Sequence, residues 1–276
     1  MNTNTYNELN FRVFGLTNPV VLVTGSGTAR VGRYIAKRFK EAGFRVVLHA
    51  HTSVSQAQQV LAEWNQDEQT TALVVGDVSD EKQVAQWRAQ VEAEFGRLDV
   101  LVNSAAIWEP TALENVKASD FEHFFRINAL GTALTSQHFG LLMTQQTHGG
   151  AIVNISDWSI TRPYRDFAAY FPSKAAVVSI TQSMAVELAT RNPHVRVNAI
   201  LPGPVLLADE VNETRRQKII DECLLKREGT PEDVAQAAIF LATSPFVTGV
   251  CLPVDGGRTI YAGTSADPIA HPKVSN

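Results

Sequence analysis

The stretch Val20-Val21-Leu22-Val23-Thr24-Gly25-Ser26-Gly27-Thr28-Ala29-Arg30-Val31-Gly32 decides the fold. An apolar run enters a turn with glycines at 25, 27 and 32, and a helical pattern follows over Gly32–Ala42. Glycines in such a turn let the backbone close tightly and approach a ligand. The helix N-terminus that follows favours an anion such as a pyrophosphate. A glycine cluster alone also suits an ordinary strand-to-helix turn; its place between a first strand and a first helix points to a dinucleotide site.

Outward from the turn, strand and helix patterns alternate. Seven short apolar runs read as strands: Val20–Thr24, Val46–His49, Ala72–Val75, Val100–Asn103, Ala151–Ile155, Val195–Ile200 and Val250–Val254. Helices are expected between them at Gly32–Ala42, Ser55–Asn65, Glu81–Phe95, Ala118–Thr144, Ser173–Thr190, Glu213–Leu225 and Pro231–Ala242. Asp80 and Thr230 are expected N-caps, with Pro231 at a first helical position. The pattern predicts the α/β class: a single doubly wound Rossmann-type domain, a seven-stranded parallel sheet with helices on both faces. That domain spans 18–262, with an N-terminal arm at 1–17 and a C-terminal tail at 263–276. The irregular Pro202–Glu213 segment follows a strand end, where a mobile stretch would serve as a lid over a ligand.

The 276 residues, 45% hydrophobic and 19% charged, suffice for a sizeable core. A net charge of −4 argues against nucleic acid or an anionic membrane as partner. No apolar run reaches the roughly 18 residues of a membrane span, and the first twenty residues lack a leader pattern. Cys223 and Cys251 read as free thiols, so a cytoplasmic protein is expected. His123, His138 and His194 have no ligand spacing, and no metal site is expected.

The end of the second strand reports the nicotinamide cofactor, since a carboxylate there would accept from the adenosine ribose of NAD. Here the residues are His49-Ala50-His51-Thr52-Ser53, without a carboxylate. Hydroxyls and an imidazole donate to a 2′-phosphate, and Arg30 adds positive charge, which favours NADPH/NADP+. Asp77, followed by Val78, either accepts from the adenine amine or serves as a turn residue.

Chemistry is concentrated in Asn154–Lys174. Tyr170 and Lys174 are four apart and share a helix face. A lysine ammonium beside a phenol stabilises phenolate and is expected to lower the phenol pKa, making Tyr170 a proton donor or acceptor near neutrality.

Taken together, Thr24-Gly25, Asn103-Ser104-Ala105-Ala106, Asn128, Tyr170 with Lys174, Pro202-Gly203 and Val254-Asp255-Gly256-Gly257 resemble the short-chain dehydrogenase/reductase family over about residues 19 to 260. The resemblance implies Tyr170 as general acid, Lys174 also on the nicotinamide ribose, and Asn128 in a water-linked proton relay. It assigns the cofactor surface to Gly25, Thr28, Arg30, Val31, His51, Thr52, Ser53, Asp77, Val78, Asn103, Ser104, Ala105, Tyr170, Lys174, Pro202, Gly203 and Val205. It also implies a homo-oligomer, tetramer or dimer, packed through the long fourth helix.

In that family a serine stands thirteen residues before the tyrosine; here the residue is Asp157, with Ser156 one place earlier. A hydroxyl donates to a carbonyl, whereas an ionised aspartate only accepts. Asp157 with Tyr170 and Lys174 therefore resembles the pteridine reductase branch. That branch implies hydride transfer to a C=N bond of a dihydropterin- or dihydrofolate-like heterocycle, held by Arg30, Trp108, Asp157 and Tyr170. Arg30-x-Gly32 and the His49-x-His51 segment fit it; Thr52 stands where the branch has arginine, and the glycine turn is one residue longer. Two alternatives stay open: a carbonyl reductase or alcohol dehydrogenase working through Ser156 and Tyr170, and a non-catalytic NADP-binding module.

Overall fold

The computed structural model describes residues 3–65, 70–207 and 211–261. Seven strands, β1 (Val20–Val23), β2 (Arg45–Ala50), β3 (Thr71–Val75), β4 (Val100–Asn103), β5 (Gly150–Ile155), β6 (Val195–Pro202) and β7 (Cys251–Val254), form one sheet. Its order is β3-β2-β1-β4-β5-β6-β7, and every neighbouring pair is parallel. The near-continuous apolar runs follow from burial on both faces. Val21 and Val23 share a core with Ile35 and Phe39 of α2 (Val31–Glu41), Val60 of α3 (Val54–Trp64), and Val234 and Leu241 of α9 (Pro231–Thr243). Val20 and Leu22 face the opposite layer, with Val84 and Trp87 of α4 (Glu81–Phe95) and Phe139 and Met143 of α6 (Gly131–Thr144). This second layer also holds the C-terminal half of α7 (Tyr170–Ala189). The chain runs outward from β1 to β3, then resumes at β4 on the other side of β1. The switch point therefore lies between β1 and β4, where ligands settle at the strands' carboxyl ends.

The expected caps form. Asp80 accepts from the Lys82 and Gln83 amides, and Thr230 and Asp233 make a reciprocal capping box with Pro231 at the first position.

Three elements depart from expectation. Residues 1–17, expected as an arm, contain a helix, α1 (Thr3–Phe14), whose Tyr6, Asn10 and Phe14 are buried against the domain. Their four-residue spacing puts them on one face, and Asn10 Nδ2 donates to the Ala42 carbonyl at 2.9 Å, closing the end of α2. The helix expected over Ala118–Thr144 is interrupted by a π turn at Phe125–Leu130, between α5 (Ala118–Phe124) and α6. The turn brings polar Asn128 inward and leaves apolar Leu130 outside, which a regular 3.6 period does not encode. Helix α8 (Glu213–Asp221) stops short of Leu225 because the chain turns there, the Leu225 amide bonding the Gly256 carbonyl.

Of the expected lid, Pro202 completes β6 and Asn212 caps α8, while residues 208–210 lie outside the described residues. The expected tail 263–276 also lies outside them. Among the described residues no helix is long and apolar enough to cross a membrane.

Candidate active site

The glycine turn is stitched to its neighbours on both sides. Thr24 Oγ1 accepts from the Ser104 and Ala105 amides at 3.0 Å each, tying the ends of β1 and β4 together. Gly25 has φ +68°, and a Cβ there would sit 2.8 Å from Ala105 Cα; a Cβ on Gly32 would sit 2.8 Å from the Gly25 carbonyl. Both positions require glycine, one for backbone angle and contact, the other for helix approach.

On the far side, His49 is buried beneath the turn. Its Nδ1 accepts from the Gly25 amide at 2.9 Å, and its Nε2 reaches the Gly76 carbonyl at 3.0 Å. A backbone N–H only donates and a carbonyl only accepts, so the ring is neutral with its proton on Nε2. Burial pulls its pKa down to about 4, keeping it neutral across the working range.

Arg30 begins α2 without any side-chain cap, leaving first-turn amides directed at the turn. Arg30 is exposed together with Ala29, with Thr28 and Val31 partly covered beside it. Arg33, which the sequence reading did not single out, folds back on the turn, donating to the Ser26 carbonyl at 2.7 Å and to the Gly27 carbonyl. At the end of β2, His51 and Thr52 are exposed and Ser53 lies against Gly27. An uncapped helix start, glycine contacts and no carboxylate after β2 fit a nicotinamide dinucleotide.

Other expected cofactor residues turn elsewhere. Asp77 Oδ1 accepts from the Ser79 amide and hydroxyl at 2.8 Å, and its Oδ2 lies 3.4 Å from Arg126. Burial pushes this carboxyl up, but the Ser79 and Arg126 bonds outweigh it and hold it below its ordinary range. Val78 is buried against Gly131. The Asn103 side chain is spent inside, donating to Ser136 and Asn154 and accepting from Thr135. Val205 points into the core, and Gly203 packs on Asp255, leaving Pro202 partly exposed at the strand end.

The acid–base group forms where β5 meets the start of α7. Tyr170 Oη donates to Asp157 Oδ2 at 2.8 Å. Ser156 is buried, and its hydroxyl donates to the Lys174 carbonyl at 2.8 Å, away from the phenol. Lys174 Nζ donates to the Ile155 carbonyl at 2.7 Å. Asn128 accepts from the Ile107 amide and donates to the Ile107 carbonyl and to Ser173 Oγ, so both of its amide protons are used. The expected lowering of the phenol pKa is overturned. Burial pushes Tyr170 well above its ordinary value, and the adjacent Asp157 carboxylate adds to the rise. Burial pulls Lys174 down to about 8, partly opposed by Asp157. Tyr170 is therefore held as a protonated donor through the neutral range.

Aromatic rings wall this group. Trp108 stacks on Phe167 with centroids 4.9 Å apart, and Trp158 on Tyr164 at 6.3 Å. Arg258 lies over Trp158 at 4.6 Å. A cavity of about 750 Å³ opens along the outer side of this segment, lined by Ile160, Tyr164, Phe167 and Phe171; Asp157 and Tyr170 do not line it. Sequence reasoning missed His49 as a turn support and Tyr164 and Phe167 as wall residues. The aromatic spacing after Asp157 was the available signal.

A glycine turn at the switch point of a parallel sheet, with a buried tyrosine–lysine pair beside it, defines an NAD(P)-dependent oxidoreductase. Residues 27–259 match the family model described as enoyl-(acyl carrier protein) reductase. An uncharacterised oxidoreductase of Mycobacterium tuberculosis is 35% identical over 90% of this chain and 94% of its own length. The L-rhamnose 1-dehydrogenase (NAD(P)(+)) of a Sphingomonas species is 33% identical over 89% of this chain and 98% of its own. A solved structure from Sinorhizobium meliloti, provisionally described as a short-chain alcohol dehydrogenase, superposes with a TM-score of 0.80 at 27% identity, covering 88% of this chain and 97% of that one. The chain belongs to the short-chain dehydrogenase/reductase family.

Proposed function

We propose that the protein is an NADPH-dependent reductase of a C=N bond in a pterin-like heterocycle. The observation that carries this reading is the 2.8 Å bond from Tyr170 Oη to Asp157 Oδ2, with Ser156 turned away to the Lys174 carbonyl. When the phenol proton turns from Asp157 Oδ2 to a bound substrate, the carboxylate and the phenol present one acceptor and one donor, side by side. That pair matches a ring with an N–H next to an imine nitrogen; a carbonyl oxygen finds only the phenol as a donor. Bound NADPH supplies the hydride. Tyr170 holds the proton at Oη, Lys174 keeps positive charge nearby, and Asp157 orients the ring through its N–H. Trp108, on the aromatic wall, offers a face for a flat ring.

A second reading, carbonyl or alcohol chemistry, is favoured by relatives such as the L-rhamnose 1-dehydrogenase and a 3-oxoacyl-[acyl-carrier-protein] reductase 32% identical over 89% of this chain. NADPH oxidation against dihydropterin, dihydrofolate, quinone and small ketones separates the two. Asp157→Ala should lower kcat/KM on dihydropterin by about 10²–10⁴-fold with NADPH affinity nearly unchanged. Wild-type rates in that variant, with Ser156→Ala crippled instead, would overturn the C=N reading.

A further inference from the structure

Asp157 is held by a residue that the chemistry above leaves unused. Its Oδ1 accepts from both the Ser159 amide at 2.9 Å and the Ser159 hydroxyl at 2.5 Å. Ser159 is fully buried in the short 3₁₀ turn Trp158–Ile160, which Asp157 itself caps. With Oδ1 occupied twice, Oδ2 alone points at Tyr170. The carboxylate therefore has one rotational state, and the two oxygens have separate tasks. Trp158, between them in sequence, is buried under Arg258, so the turn has little freedom to re-aim the group.

We propose that Ser159 is a positioning residue that sets the specificity of the site by fixing which carboxylate oxygen of Asp157 faces the substrate. The proposal rests on the C=N reading for its substrate preference. Its mechanical part, coupling of Ser159 to Asp157, holds for any substrate. Without the hydroxyl, Asp157 keeps only the amide as a partner on Oδ1 and is freer to rotate. A substrate engaging Oδ2 then loses a preorganised acceptor, while one engaging only Tyr170 loses little.

The test is a double-mutant cycle on the full chain: Ser159→Ala, Asp157→Ala and both together, assayed on one dihydropterin and one ketone. Ser159→Ala is expected to lower kcat/KM on dihydropterin at least about tenfold, chiefly through kcat, with NADPH affinity unchanged and a smaller loss on the ketone. In the Asp157→Ala background the same change should cost less than about twofold. A purely structural serine would cost the same in both backgrounds, and that additivity overturns the proposal. If only the ketone is turned over, non-additivity on it sustains the positioning role while the C=N reading fails. Should Ser159→Ala not fold, Ser159→Cys keeps the volume and removes the strong donor, and the same cycle decides.

Discussion

Lys174 carries a positive charge into a site with little water. Burial pulls its pKa from the ordinary 10.5 to about 8, so the unfolded chain binds this proton more tightly than the folded one. The sign follows. The penalty is fully present below pH 8 and is relieved as pH rises from about 8 toward 10.5, where stability gains. Its size is about 3 kcal/mol at most. Lys174→Met removes the charge, at the expense of the bond to the Ile155 carbonyl. Relative to Lys174→Met, the wild type should gain up to about 3 kcal/mol between pH 7 and pH 10 in urea titrations. A parallel pair of curves would mean the ammonium is solvated. The bond to the Ile155 carbonyl and the Asp157 carboxylate offset part of this buried charge; on the proposed chemistry it would serve the Tyr170 phenol when that group gives up its proton.

Among the elements, strands and capped helices were legible because their signals are local: apolar runs bounded by turns, and Asp80 or Thr230 ahead of a helical pattern. The π turn was not, because it answers to tertiary demand. Asn128 is drawn inward by Ile107 and Ser173, from a loop and a helix remote in sequence. Helix α1 was missed for a related reason: its polar composition hides a narrow buried face of Tyr6, Asn10 and Phe14. That face has a measurable role. Asn10 donates to the Ala42 carbonyl, in place of a partner that α2 lacks at its end, and to the Thr17 carbonyl ahead of β1. Asn10→Ala should destabilise the protein by about 1–3 kcal/mol in denaturant titrations and leave the KM for NADPH unchanged. An unchanged midpoint would show α1 to be an appendage.

At the scale of the whole molecule, the glycine turn, the β2 end and the Tyr170 group line one edge of the sheet. The seven-strand parallel class was legible from alternation alone, whereas the orientation of Asp157 was not, since sequence spacing does not tell which of two adjacent side chains faces the phenol. The cofactor preference is testable through the same global coupling. A ligand that binds only the folded state adds about 2.7 kcal/mol at 100 times its Kd, which for a domain of this size raises the melting temperature by several degrees. On the proposed preference, NADPH should raise the melting temperature well beyond equimolar NADH, because no carboxylate after β2 repels the 2′-phosphate. Thr52→Asp introduces such a carboxylate at an exposed position, where a substitution is expected to cost little stability. The variant should reverse the order of the two shifts while its own unliganded melting temperature stays within about 2 °C of wild type. Equal shifts from both cofactors in the wild type would overturn the NADPH assignment.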